Sequence, residues 1–139
     1  MLHVRVKVPP IIPALEGLAE GLVLVNIALM EYAERNGVEL PDLYESGVVY
    51  RREPPGQEWW ENALDVIGVV ADRSGDCEDL AAYRCAELRH FEGDDCRVKI
   101  VKTRRAFHAV VEHDDGRIED PSRIALRLER ARKRKGQAR

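Results

Sequence analysis

The stretch Ser74-Gly75-Asp76-Cys77-Glu78-Asp79-Leu80-Ala81 (SGDCEDLA) sets a cysteine among three carboxylates. Negative charge disfavours a thiolate, and the thiolate is the form of cysteine that attacks. As local structure the stretch reads as a helix start. Asp76 is the expected N-cap, and Asp79, three residues on, completes a capping box in short form. Cys77 then occupies the first helical position, where unpaired N–H groups and roughly half a positive charge favour a thiolate. With Asp76 and Asp79 turned onto backbone N–H groups, Glu78 is expected on a different face from Cys77. Cys77, Ala81, Cys85 and Leu88 share one helical face, so the thiol is expected to point the way the helix packs. A purely structural cysteine at a capped helix start is the competing reading.

Upstream, Leu2 to Val8 (LHVRVKV) alternates and predicts a half-buried strand, ended by Pro9, Pro10 and Pro13. From about Ala14 to Arg35 the positions Leu15, Leu18, Leu22, Val25, Leu29 and Tyr32 form a helical stripe, with Asn36-Gly37 as the stop. Val23, Ile27 and Met30 widen the apolar surface, which suits a core helix or an oligomer contact. Residues 38–57 read as a Pro/Gly-punctuated connection with a short strand at Val48-Val49-Tyr50, and a second helix is predicted from about Gln57 to Ala71. The helix opened by Cys77 should run to about Phe91 and turn at Gly93-Asp94-Asp95. Cys96 to Thr103 and Ala106 to His113 then read as strands, the second apolar on both faces as a central strand is. Helices followed by an antiparallel meander make an α+β fold.

A thiol nucleophile needs a base, and the base an orienting group. His108 lies in the apolar strand and is the best base. His3, His90 and His113 are expected at the surface, His113 with its parity opposite to His108. The hairpin loop selects the third member. A two-residue loop, Asp115-Gly116, pairs Glu112 with Glu119 and puts Glu119 on the His108 face. A three-residue loop, Asp114-Asp115-Gly116 with a left-handed glycine, pairs Val110 with Asp120 and brings Asp120 within diagonal reach of His108. The Asp-Asp-Gly sequence favours the second, leaving Glu119 as a bystander, and Asp120-Pro121-Ser122 is also a good helix start. An oxyanion hole would use the Cys77 backbone N–H and a second donor; the indoles of Trp59 and Trp60 are candidates, with buried anchoring the alternative role. Cys85 and Cys96 read as core residues.

Three blocks in order, Gly75-Asp76-Cys77-Glu78-Asp79-Leu80-Ala81, Phe107-His108-Ala109-Val110-Val111-Glu112 and Gly116-Arg117-Ile118-Glu119-Asp120-Pro121, resemble the transglutaminase-like superfamily of thiol enzymes. The resemblance covers roughly Trp59 to Ile124. It implies a papain/transglutaminase-like core, a nucleophile helix packed on an antiparallel sheet, with an additional helix N-terminal to it. It also implies a Cys77-His108-Asp120 triad acting on protein or peptide amides, peptidase or deamidase rather than cross-linker. The GDCED form is most similar to bacterial transglutaminase-like cysteine proteases, which implies calcium held by Asp76 and Glu78, with no other cofactor required. The extended pattern GDCEDLAAYRCAELR…HAVVE…DGRIEDPSR is also similar to small proteins encoded among tailed-phage genes. That similarity implies the alternative, a structural or assembly protein keeping the fold with little turnover.

At 139 residues the chain fits a single domain, here 1–122, followed by a basic tail, 123–139. The net charge of −3 hides an asymmetry. The tail holds eight Lys/Arg against Glu129, leaving 14 of the 22 basic and 24 of the 25 acidic residues in 1–122. Such a tail binds a polyanion or folds back on the acidic body. The longest apolar stretch, Gly21 to Met30, contains Asn26 and is too short to span a bilayer, and Glu16 and Glu20 interrupt any signal sequence, so no membrane association is expected. Three cysteines without a CxxC predict reduced thiols and a cytoplasmic location, or a virion-associated one if the gene is a phage's. A homo-oligomer, if formed, would use the N-terminal helix.

Overall fold

The computed structural model describes residues 4–53, 59–66, 73–104 and 106–137. Helices α1 (Ile12–Arg35), α2 (Ala63–Val66), α3 (Cys77–Glu92) and α4 (Pro121–Gln137) combine with strands β1 (Val49–Tyr50), β2 (Ser74–Gly75), β3 (Arg97–Lys102), β4 (Phe107–Glu112) and β5 (Ile118–Glu119). The fold is α+β. β1 and β2 pair in parallel, and β3, β4 and β5 form an antiparallel sheet with β4 central.

α3 lies at the middle of the packing, touching α1, α2, α4, both longer strands and β2. Eleven of its residues are buried, from Cys77 through Tyr83 and from Cys85 through Leu88. Its start is capped as the sequence predicts: Asp76 accepts from the Cys77 N–H at 2.7 Å, and Asp79 accepts from the Asp76 N–H at 3.0 Å. Gly93, with φ +67°, closes the other end in the left-handed conformation. Gly75 sits against this cap. A Cβ there would lie 3.0 Å from Asp79 Cβ and 3.2 Å from Leu80 Cδ2, so any larger residue would press on the cap.

α1 packs on α3 and β3, but not along the predicted stripe. The buried line is Ala19, Val23, Asn26, Met30 and Ala33, while Val25 and Tyr32 are exposed and Leu15, Leu22 and Leu29 flank the seam. The helix is apolar nearly all round, so periodicity left the contact face undetermined. The small side chains of Ala19 and Ala33 let the helices approach, which leucines would prevent. Asn26 is buried because it is bonded, its Oδ1 accepting from the Ala63 N–H at 2.8 Å. α1 is also longer than the apolar stretch the sequence suggested. With 24 residues and a mean hydropathy of 1.6 in its most apolar window, it is long and apolar enough to cross a membrane by length and composition. In this fold Glu16 and Glu20 have partners, while the buried Asn26 Nδ2 has none among the described residues. Arg89 forks onto Glu20 at 2.6 and 2.8 Å, and the Ile100 N–H donates to Glu16 at 3.0 Å.

That last bond helps account for a strand that does not form. Residues 4–8 carry the alternation but have no strand partner, with Val4 74% and Val6 58% exposed. α1 lies beside β3 and Glu16 takes one of that strand's outward N–H groups, so the edge such a strand would join is occupied. Leu2 and His3 lie outside the described residues. The second helix also begins later than expected. Residues 59–62 are not helical, because the N–H groups of Trp59, Glu61 and Ala63 go to Glu53, Asp79 and Asn26. The predicted stretches 57–58 and 67–71 lie outside the described residues.

The hairpin has the three-residue loop. Val111 pairs with Glu119 and Glu112 with Ile118, His113 N–H donates to Arg117 O at 2.9 Å, and Gly116 has φ +89°. Nothing lies within 4 Å of a Cβ built on Gly116, so substitution there meets backbone strain and no clash. Gly116→Val should therefore lower stability by about 1–3 kcal/mol in urea melts, and Gly116→Asn by much less. Gly17→Ala, in the exposed face of α1, should instead raise it by about 0.5–1 kcal/mol.

Candidate active site

One cleft of about 1240 Å³ holds Cys77 from the start of α3 and His108 from β4, with Asp76, Glu78 and Trp60 also in its lining. Much of the wall is apolar, including Val6, Val8, Leu15, Leu18, Ile100 and Phe107. The β4 residue that follows His108 reaches the sulfur, the Ala109 backbone N–H bonding to Cys77. Thiol and imidazole thus meet the same cleft from two elements that pack together.

His108 Nε2 lies 2.9 Å from Asp120 Oδ2. The contact follows from the loop length, since the observed register continues to set Val110 opposite Asp120. The other carboxylate oxygen of Asp120 accepts from the Arg123 N–H at 3.3 Å, at the start of α4. One side chain serves both roles the sequence allowed it. With Nε2 engaged, Nδ1 is the imidazole nitrogen left for a reacting group.

Around the thiol the structure corrects three expectations. Glu78 is not turned away from Cys77: its Oε2 accepts from the sulfur at 3.2 Å. Nor is the thiol pKa depressed. Burial first, and the Glu78 carboxylate second, push it well above the ordinary thiol range, and the Ala109 N–H only partly opposes them. The helix terminus loses to desolvation because Cys77 is only 8% exposed. The Cys77 N–H, expected in an oxyanion hole, already donates to Asp76. Of the two tryptophans, Trp60 lines the cleft and Trp59 is 56% exposed, its backbone N–H on Glu53.

Asp76, Cys77 and Glu78 offer ligand atoms within 4.8 Å of one another. Two carboxylates suit a hard cation, but they supply two of the six or more oxygens that calcium takes, and the sulfur suits it poorly. Tyr50 escaped the sequence reading. It stands in the cleft beside Asp76, and burial together with the charge of Asp76 pushes its hydroxyl up to about 12. No motif marks it; only the β1–β2 pairing, which seats it opposite Gly75, brings it there.

Two further expectations fail beside the site. His113 is buried, 7% exposed, with Nδ1 2.6 Å from Asp94 and Nε2 3.0 Å from Glu119. Glu119 is a hub: it also accepts from Tyr44 Oη and from Arg84 Nε at 2.7 Å. Strand parity correctly turned these groups away from His108; what it could not reveal is that α3 and the 38–48 loop cover that side. Cys85 and Cys96 are buried as expected, their sulfurs 3.1 Å apart as free thiols. No protein-family model, curated protein or solved structure matches the chain.

If Glu78 holds the thiol protonated, Glu78→Gln should lower its pKa and speed alkylation of Cys77 by iodoacetamide about tenfold or more near neutral pH. An unchanged rate, followed by peptide mapping, would remove Glu78 as the cause. His113 makes a separate prediction. Burial acts to lower its pKa, but the bonds and charges of Asp94 and Glu119 outweigh that and raise it. The stabilisation is then complete below the unfolded value of about 6.5 and fades as pH rises through the folded value. His113→Gln should cost about 1.5–3 kcal/mol near pH 5.5 and less near pH 9, read from paired denaturant melts.

Proposed function

We propose that the protein is a transglutaminase-like cysteine hydrolase or acyl transferase acting on protein or peptide amides through Cys77, His108 and Asp120. The observation that carries this is the Asp120 carboxylate on His108 Nε2, in a cleft that also holds the Cys77 thiol. A capped helix packed through its thiol end on the β4 strand also supports the papain-like core the three sequence blocks imply.

In this reading the Cys77 thiol gives its proton to His108 Nδ1 while the sulfur attacks the amide carbon. The C–N bond breaks as the imidazolium returns a proton to the leaving amine, and water or a second amine then cleaves the thioester. Asp120 fixes the orientation and tautomer of the ring. Glu78 must release the sulfur before the first transfer, so the resting enzyme holds a neutral thiol. The open cleft with its apolar wall suits a polypeptide segment presenting an apolar side chain. Calcium on Asp76 and Glu78 would supply positive charge beside the sulfur and draw Glu78 from it. The exposed Leu24, Val25 and Tyr32 of α1 support the homo-oligomer proposed for that helix.

The assembly-protein reading is favoured by one observation: a buried thiol bonded to Glu78, with the Cys77 backbone N–H already spent on the cap. A peptidyl acyloxymethyl ketone with an apolar residue beside the warhead separates the two. The hydrolase should gain one covalent adduct on Cys77, seen by intact mass. His108→Ala should slow its formation at least about a hundredfold, and Asp120→Asn less severely. Adduct formation indifferent to both substitutions would instead leave the assembly reading standing.

A further inference from the structure

We propose that α4 is a binding site for double-stranded DNA, built on a stripe of four arginines. Arg123, Arg127, Arg130 and Arg134 recur at steps of four, three and four residues. At the geometry of an α-helix they fall within an arc of about 60° and extend along about 16 Å of axis. All four are exposed. Among the described residues no carboxylate pairs with any of them; the tail's single acid, Glu129, is bridged to Lys133 at 2.9 Å. The acidic body therefore does not absorb this charge, although the overall charge of the chain is negative.

The remaining surface of α4 narrows the partner. The helix packs on α3 and β1, with Ala125 buried and Ile124 and Leu128 half-buried. None of its large apolar side chains is exposed, so it has nothing to insert into a bilayer. Residues 121–139 contain no aromatic, so there is no platform on which the bases of a single strand would stack. What α4 presents is a rigid row of guanidinium forks, which grip phosphate oxygens two at a time. A rigid, densely charged array of phosphates is the complementary surface, and duplex DNA carries one charge per roughly 1.7 Å of its axis. Nothing in the row reads base edges, so the site recognises the backbone without sequence preference. The inference is independent of the chemistry in the cleft.

Fluorescence anisotropy of the full chain with a labelled duplex of about 20 base pairs tests it. Four phosphate contacts predict that log K falls against log salt with a slope near −3.6 between about 50 and 200 mM. Replacing the four arginines by glutamine should weaken binding at the lower salt at least about tenfold and flatten the slope towards zero. Replacing them by lysine should retain most of the slope, and it serves as the control if the glutamine variant melts early. No binding at low salt, or a glutamine variant that binds like the wild type, overturns the proposal. So does tighter binding to the separated single strand, or to phosphatidylserine vesicles at matched phosphate concentration.

Discussion

A helix buried on nearly every side must find partners for whatever polar groups it carries, and α3 carries three carboxylates inside the protein, on Glu78, Asp79 and Glu87. Two of them hold the irregular segment that wraps the helix. Glu87 Oε2 accepts from the Leu43 N–H, and Asp79 Oδ1 from the Glu61 N–H. Burial pushes Asp79 up to about 9 and Glu87 up to about 8, against the pull of those same N–H groups. Among its described residues, the stretch between α1 and α3 has little regular structure to satisfy its own backbone. It borrows acceptors from α3 instead, and from Asn26 of α1. The wall of the cleft that includes Tyr50 and Trp60 belongs to this segment.

The parts of the fold legible in the sequence are those fixed by local chemistry. The Asp76–Asp79 cap, the glycine after α3, the alternation of β3, the apolar run of β4 and the Asp-Asp-Gly loop each depend on a few adjacent residues. The site inherits this: because the loop length sets the register, the meeting of Asp120 with His108 was deducible from three turn residues. What was illegible depends on neighbours far along the chain. The seam of α1 is chosen by how close α3 can come. The strand predicted over residues 2–8 needed a free edge, and α1 stands beside the only side of β3 left open. The burial of His113 and the position of Glu78 against the sulfur are likewise outcomes of packing. No spacing announces them.

The two histidine–carboxylate arrangements on the same hairpin show how environment separates function from structure. His108 meets one carboxylate and a cleft. His113 meets a carboxylate at each nitrogen and lies under the surface, closed off by Asp94, Glu119, Arg84 and Tyr44. The first has a nitrogen to spare for a reaction, and the second has none. That closure also ties the hairpin to α3 through Arg84, keeping the strand that carries His108 in a fixed relation to the helix that carries Cys77.

Asp120 spans the boundary between sheet and final helix, one oxygen on the imidazole and the other on the first turn of α4. It is a pivot with two arms of unequal stiffness, because the helix arm is a weaker 3.3 Å contact and the ring arm a tighter one at 2.9 Å. A load applied along α4 is therefore transmitted to the tilt of one imidazole ring. The last helix thus reaches the interior of the cleft in parallel ways, through this carboxylate and through its packing on α3 and β1.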